Sequence, residues 1–245
     1  MEQKQAALLN IPTAIVIAGA IVAGAIIWTK SPSNKNVAIT PPGLEQQIKA
    51  VSNEDHIFGN PNAKIKIIEY SDTACPFCKS FHTTMRKIMD IYGKTGEVAW
   101  VYRHFPIYQP DANGRILHPN AGKEAEALEC AGSLGGNDKF WAYTNRLYDI
   151  TPSVTGDTPE GLDQKELPKI AKLVGLNVDD FNSCLSSGKF KEKVDSQLLE
   201  GMNAGIQGTP SSILVTPSGK YIPLEGAQPF ERVKQVVDAL LLEEK

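Results

Sequence analysis

Residues 64–78 read KIKIIEYSDTACPFC, and the change of pattern inside this stretch decides the fold. Lys64 to Tyr70 is rich in β-branched residues and reads as a strand. Alternation along it puts Glu69 on the same face as Ile65 and Ile67, which implies burial. After Ser71-Asp72-Thr73, the run Cys75-Pro76-Phe77-Cys78 opens a helix. Phe77, Phe81, Met85, Ile88 and Tyr92 recur there at spacings of three and four, and Gly93 is a good stop. Glu97 to Tyr102 is a second strand, so the unit is β-α-β with a short crossover.

Pro76 falls at the first helical position, where its missing N–H costs nothing. Cys75 therefore sits near the N-cap, where unpaired backbone N–H groups and the helix dipole favour an anion. A thiolate there has a lowered pKa, which makes Cys75 the attacking sulfur and the better leaving group. Each unit of lowering favours the thiolate by about 1.4 kcal/mol. Cys78, one turn further in, is the resolving thiol. A buried Glu69 beneath this pair, its pKa raised by desolvation, would take the proton that Cys78 must lose. The competing readings are half of a zinc site, a purely structural disulfide, two inert buried thiols and, for Glu69, a solvated edge-strand carboxylate. No second Cys-x-x-Cys follows, and Cys130 and Cys184 have no His at ligand spacing, so no metal is expected.

Outward from this core the chain shows no internal repeat. His118–Leu134, Asp138–Ile150, Gln164–Val174, Asp179–Ser186 and Phe190–Ala204 favour helix. Strand chemistry returns at Ser211–Thr216 and Lys220–Leu224 around a Pro217-Ser218-Gly219 turn, and Phe230–Leu242 is an amphipathic helix. The order describes a mixed sheet with a helical block, about residues 112–204, set between its halves. At the amino end no charge occurs from Gln5 to Thr29, and the apolar run Ile11 to Trp28 rises about 27 Å as a helix, close to a bilayer's hydrocarbon thickness. Residues 1–30 thus read as a single-pass membrane anchor, with a cleaved signal ending near Ala23-Gly24-Ala25 as the alternative. Residues 31–54 read as a linker, most clearly over Ser31–Pro42, and residues 55–245 as the exported domain.

The whole chain of 245 residues carries 25 basic and 28 acidic side chains, a net charge of −3, and is 42% apolar. That excludes a disordered polar chain, and it gives no basic surplus of the kind nucleic-acid binders carry.

Ile67-Ile68-Glu69-Tyr70-Ser71-Asp72 before Cys75-Pro76-Phe77-Cys78, with Gly208-Thr209-Pro210 leading into a strand, resembles the DsbA-like thiol-disulfide oxidoreductases. The similarity covers roughly Phe58 to Leu240. It implies a thioredoxin-like fold with a helical insertion, a cis Pro210 against the disulfide, and substrate backbone pairing at Thr209, with Pro76 and Phe77 beside the bound chain. Arg103-His104-Phe105-Pro106 also looks like a family element, though His104 gets no role. Phe77 stands where the best-known member has His, which weakens the expectation of a very low Cys75 pKa. Outside the cytoplasm Cys130 and Cys184 are expected to pair, the alternative being two separate buried thiols.

The expected activity is exchange of the Cys75–Cys78 disulfide with cysteines of exported proteins, foremost as an oxidase. Recharging by a quinone-linked membrane protein is implied by the resemblance, and no bound cofactor is needed. The alternatives are a reductase or isomerase on the same fold, or a non-catalytic binding module with structural cysteines.

Overall fold

The computed structural model describes residues 43–152 and 161–244. The expected membrane anchor and Ser31–Pro42 lie outside the described residues. Among those described, no helix is long and apolar enough to cross a membrane.

Five strands, β1 (His56–Gly59), β2 (Ile65–Ser71), β3 (Val98–His104), β4 (Ser211–Val215) and β5 (Tyr221–Glu225), form one sheet in the order β1-β3-β2-β4-β5. β2 is central, parallel to β3 and antiparallel to β4. The near-continuous apolar run of β2 suits a strand covered on both faces. Parallel β2 and β3 need a crossover, and the helix Pro76–Ile88 supplies it. β5 lies at an edge, which is where a strand can hold Pro223.

Seven α-helices complete the described chain: α1 (Leu44–Gln47), α2 (Pro76–Ile88), α3 (Ala121–Ile150), α4 (Leu167–Leu173), α5 (Val178–Ser187), α6 (Lys191–Asn203) and α7 (Phe230–Glu243). Helices α3 to α6 fall between β3 and β4 in the chain, which is the helical insertion the sequence describes. Strand alternation divides the core in two. Ile65, Ile67, Trp100 and Tyr102 pack with Phe81, Met85 and Ile88 of α2 and with residues of α3, α4, α5 and α7. Ile68, Tyr70 and Val101 pack on the other face with Leu44, Ile48, Phe105, Leu198 and Ile213. Phe81, Met85 and Ile88 are fully enclosed, and each such burial contributes about 1.5–3 kcal/mol. That anchors the helix carrying both cysteines of the motif.

The structure corrects several expected boundaries. Part of the stretch read as a linker is folded: Leu44–Gln47 is helical, and Leu44 and Ile48 are buried against the sheet. His56–Gly59 is a strand that the sequence did not signal, being short and half-exposed. The two helices expected from His118 to Ile150 are both present within α3, the first starting at Ala121 rather than His118, and a non-helical Gly136 (φ 75°, ψ −174°) makes the kink between them. Glycine adopts that angle without the Cβ clash other residues meet. α2 continues through a π-helical turn, Met89–Gly93.

Candidate active site

Cys75 is the N-cap of α2, with extended backbone (φ −77°, ψ 121°), and Pro76 follows at the first helical position. The local geometry thus follows from the dipeptide: proline supplies a helical φ and has no N–H to satisfy. Cys75 Sγ lies 3.5 Å from the Thr209 carbonyl oxygen, and the Thr209–Pro210 peptide is cis. Cys78 is wholly buried, and its Sγ accepts the Asp72 backbone N–H at 3.4 Å. Cys75 keeps only 5% of its surface exposed, whereas neighbouring Phe77 is 65% exposed. The dipeptide therefore presents an aromatic ring to solvent beside a sheltered sulfur.

The two thiols are driven apart. Hydrogen bonding from the Cys78 thiol lowers the Cys75 pKa; burial opposes, and the Cys78 backbone N–H adds to the lowering, leaving it at about 6 against an ordinary 9.0. Cys78 is pushed well above its ordinary value, first by burial and then by the Cys75 sulfur. Glu69 is wholly buried on the central strand, which removes the solvated edge-strand reading. Burial raises its carboxyl to about 7, against the opposing hydrogen bonds from Ser71 and Trp100. Ser71 Oγ donates to Oε1 at 2.6 Å and Trp100 Nε1 to Oε2 at 2.8 Å.

Asp72 ties the motif to the chain beyond β3. Its Oδ1 accepts the Ala74 N–H at 2.8 Å, and its Oδ2 accepts the Ile107 N–H at 2.7 Å and lies 2.7 Å from His118 Nδ1. Burial works against a charged His118 ring, but Asp72 outweighs it and raises the His118 pKa. Thr209 and Pro210 line a groove of about 700 Å³ together with Gln207, Gly208, Pro223 and Glu225. Thr209 Oγ1 is buried there without a hydrogen-bond partner.

Cys130 and Cys184 are bonded to each other, joining α3 to α5, with Cα atoms 5.9 Å apart. Neither is available to complete a metal site around Cys75. Among the described residues, no group of three or more His, Cys, Asp or Glu is arranged to hold a metal. His104 is a packed histidine: its Nε2 lies 3.1 Å from Glu129 Oε1, while His56 and Lys193 bind Oε2 at 3.0 and 2.8 Å. Arg103 is likewise committed, to Asp55 at 2.9 Å and Glu200 at 2.5 Å.

Sequence reasoning missed Trp100, Asp72, His118 and Tyr148. Trp100 lies in the Glu97–Tyr102 stretch that reads as a strand, but its reach to Glu69 depends on the pairing of β3 with β2. His118 and Tyr148 reach the site from distant parts of the chain, and nothing local marks them.

A fold of this kind, with a Cys-x-x-Cys at a helix start facing a cis-proline, defines a thioredoxin-type dithiol site. A thioredoxin family model matches residues 51–239, and the chain belongs to that family, with a helical insertion between β3 and β4. A putative protein-disulfide oxidoreductase of Rickettsia felis is 25% identical over 218 residues, 84% of this chain and 70% of that protein. An Na(+)/H(+) antiporter NhaA 1 of Mycolicibacterium gilvum is 24% identical over 173 residues. That match takes in 70% of this chain but only 25% of the antiporter. Among solved structures, alpha-DsbA1 of Wolbachia pipientis superposes with a TM-score of 0.67 at 23% identity, covering 82% of this chain and 99% of that one.

Proposed function

We propose that the protein is an extracytoplasmic thiol-disulfide oxidoreductase that exchanges its Cys75–Cys78 disulfide with cysteines of exported proteins, running as an oxidase. The observation that carries this reading is the placement of the pair: Cys75 at the N-cap of α2, its Sγ 3.5 Å from the Thr209 carbonyl oxygen beside the cis Thr209–Pro210 peptide, and Cys78 wholly buried behind it. Cys75 is the better leaving sulfur, while Cys78 stays protonated at neutral pH. The oxidoreductase description of the Rickettsia relative agrees with it.

In the oxidising direction a substrate thiolate attacks Cys75 Sγ. The Cys75–Cys78 bond breaks, and Cys78 leaves with its electron pair and takes a proton from Glu69. The mixed disulfide lies against Thr209-Pro210, beside Pro76 and Phe77. A second substrate thiolate then attacks its own sulfur in that bond and expels Cys75 as a thiolate. The substrate is oxidised by two electrons and the protein holds them as two reduced cysteines. Reoxidation passes them to a quinone-linked membrane protein, and residues 1–30 hold the domain at the same membrane. No bound cofactor enters these steps.

A reductase or isomerase direction is the second reading, favoured by the intermediate Cys75 value. Thioredoxin's attacking thiol has a pKa of about 7, and the strongest oxidants of this fold reach about 3.5. The reduction potential should therefore fall between about −270 and about −120 mV, and its position within that window decides the direction. A redox titration against glutathione makes the test. A potential more positive than about −200 mV supports the oxidase, and one near −270 mV replaces it with the reductase. Full exchange activity in Cys75→Ser would refute both.

A further inference from the structure

Glu69 is a buried carboxyl that has to change charge during turnover, and the groups around it are arranged for two charge states. Trp100 Nε1 donates to Oε2 at 2.8 Å, Ser71 Oγ lies 2.6 Å from Oε1, and Tyr148 OH lies 2.9 Å from Ser71 Oγ. Beyond that, Tyr148 OH is 3.4 Å from the Asp72 carbonyl oxygen and 3.3 Å from Tyr102 OH. A hydroxyl both donates and accepts, whereas an indole N–H only donates. The chain therefore has two orders. With Glu69 ionised, Tyr148 donates to Ser71 and Ser71 donates to Oε1. With Glu69 protonated on Oε1, the carboxyl donates to Ser71, Ser71 to Tyr148, and Tyr148 to the Asp72 carbonyl. Every proton in the chain keeps an acceptor in both orders.

We propose that Ser71 and Tyr148 form a reversible hydroxyl chain that lets Glu69 give up and regain a proton without stranding a buried donor, and that Trp100 fixes Oε1 as the oxygen that carries it. The inference rests on the reading of Glu69 as proton partner of Cys78. Ser71, Tyr148 and Trp100 act through Glu69 and are positioning residues. When the Cys75–Cys78 bond breaks, Cys78 takes the proton from Oε1 and the hydroxyls turn to the ionised order. When the bond re-forms, Cys78 loses its proton to Oε1 and they turn back. The titratable groups coupled to Glu69 are Cys75 and Cys78 from α2, Tyr102 from β3 and Tyr148 from α3. Ser212 of β4, opposite Glu69 in the register, is uncharged.

The two orders make predictions of opposite sign. Removing a donor to the carboxylate, in Ser71→Ala or Trp100→Phe, hurts the ionised form more, because bonds to a charged acceptor are the stronger ones. Removing Tyr148 OH leaves Ser71 without an acceptor in the protonated order only. The Glu69 carboxyl is titrated by its infrared C=O band, as difference spectra against Glu69→Gln, alongside single-turnover exchange with a reduced dithiol peptide from pH 5 to 9. The wild-type midpoint is expected at about 7. It should rise by about one unit in Ser71→Ala and Trp100→Phe and fall in Tyr148→Phe. Circular dichroism screens each variant for folding. Shifts in one direction for all three, or no shift, overturn the hydroxyl chain. A pH–rate profile unchanged by Glu69→Gln instead overturns the reading of Glu69 in turnover, whatever the band shows.

Discussion

Lowering the Cys75 pKa makes the reduced protein's stability depend on pH in a way that can be worked out in advance. The perturbation is Cys75→Ser, which removes the titrating sulfur and with it the upward push on Cys78 and Glu69. A group lowered on folding from 9.0 to about 6 contributes stability that is complete above the unfolded value and is lost as pH falls through about 6. The full contribution is about 4 kcal/mol, reached near pH 10. At pH 8 it is about 3 kcal/mol, at pH 7 about 1, and near pH 5 almost nothing. Urea unfolding gives it as the wild-type minus variant difference at each pH. Cys75 is reduced throughout, and the Cys130–Cys184 bridge is shown intact by mass mapping. The difference should climb by about 1 kcal/mol per unit between pH 7 and 8.5. A difference that stays flat from pH 6 to 8 would refute the assignment of the low value to this sulfur.

Three further outcomes follow from the packing. Replacing Cys130 and Cys184 by Ala reopens a loop of 54 residues, which costs about 4 kcal/mol on the chain-entropy model. Calorimetry should show the melting temperature lower by about 8–16 °C, with exchange at 25 °C retained. Gly201→Ala sets a Cβ 2.7 Å from Phe105 and 3.0 Å from Tyr70, and the repacking should cost about 1–3 kcal/mol by urea unfolding. Glu129 is held well below the usual carboxylate range: burial opposes this, but His104 and His56 override it. Its stabilisation is complete above about pH 4.5 and fades as the pH falls, so acid unfolding should lose most of that dependence in Glu129→Gln, which is itself destabilised by about 3 kcal/mol at pH 7.

The legible parts were those whose cause is local. The β-branched run before Cys75, the Pro76 start of α2 and its apolar spacing are chain-neighbour effects, and the sheet centre and cysteine placement followed from them. Alternation alone placed Glu69 inside. What stayed hidden depends on which strands and helices meet. Trp100 touches Glu69 only because β3 lies parallel to β2, and Tyr148 arrives from the segment of α3 beyond the Gly136 kink. The α3 helix carries no clear apolar stripe because it is enclosed on several sides, so Glu124 and Glu129 are buried on it despite their charge. The break between the helices ending near Leu134 and starting near Asp138 was legible, and it falls at the non-helical Gly136. The folded Leu44–Ile48 stretch was masked by its neighbouring linker composition.

The most direct test of the account is to find which sulfur a substrate chain joins. Cys78→Ser is incubated with a disulfide-bonded peptide and the adducts are mapped by mass spectrometry. A stable mixed disulfide on Cys75, forming faster than with free cysteine between about pH 5 and 8, is the predicted result. An unmodified Cys75, or one that reacts no faster than free cysteine across that range, would contradict it.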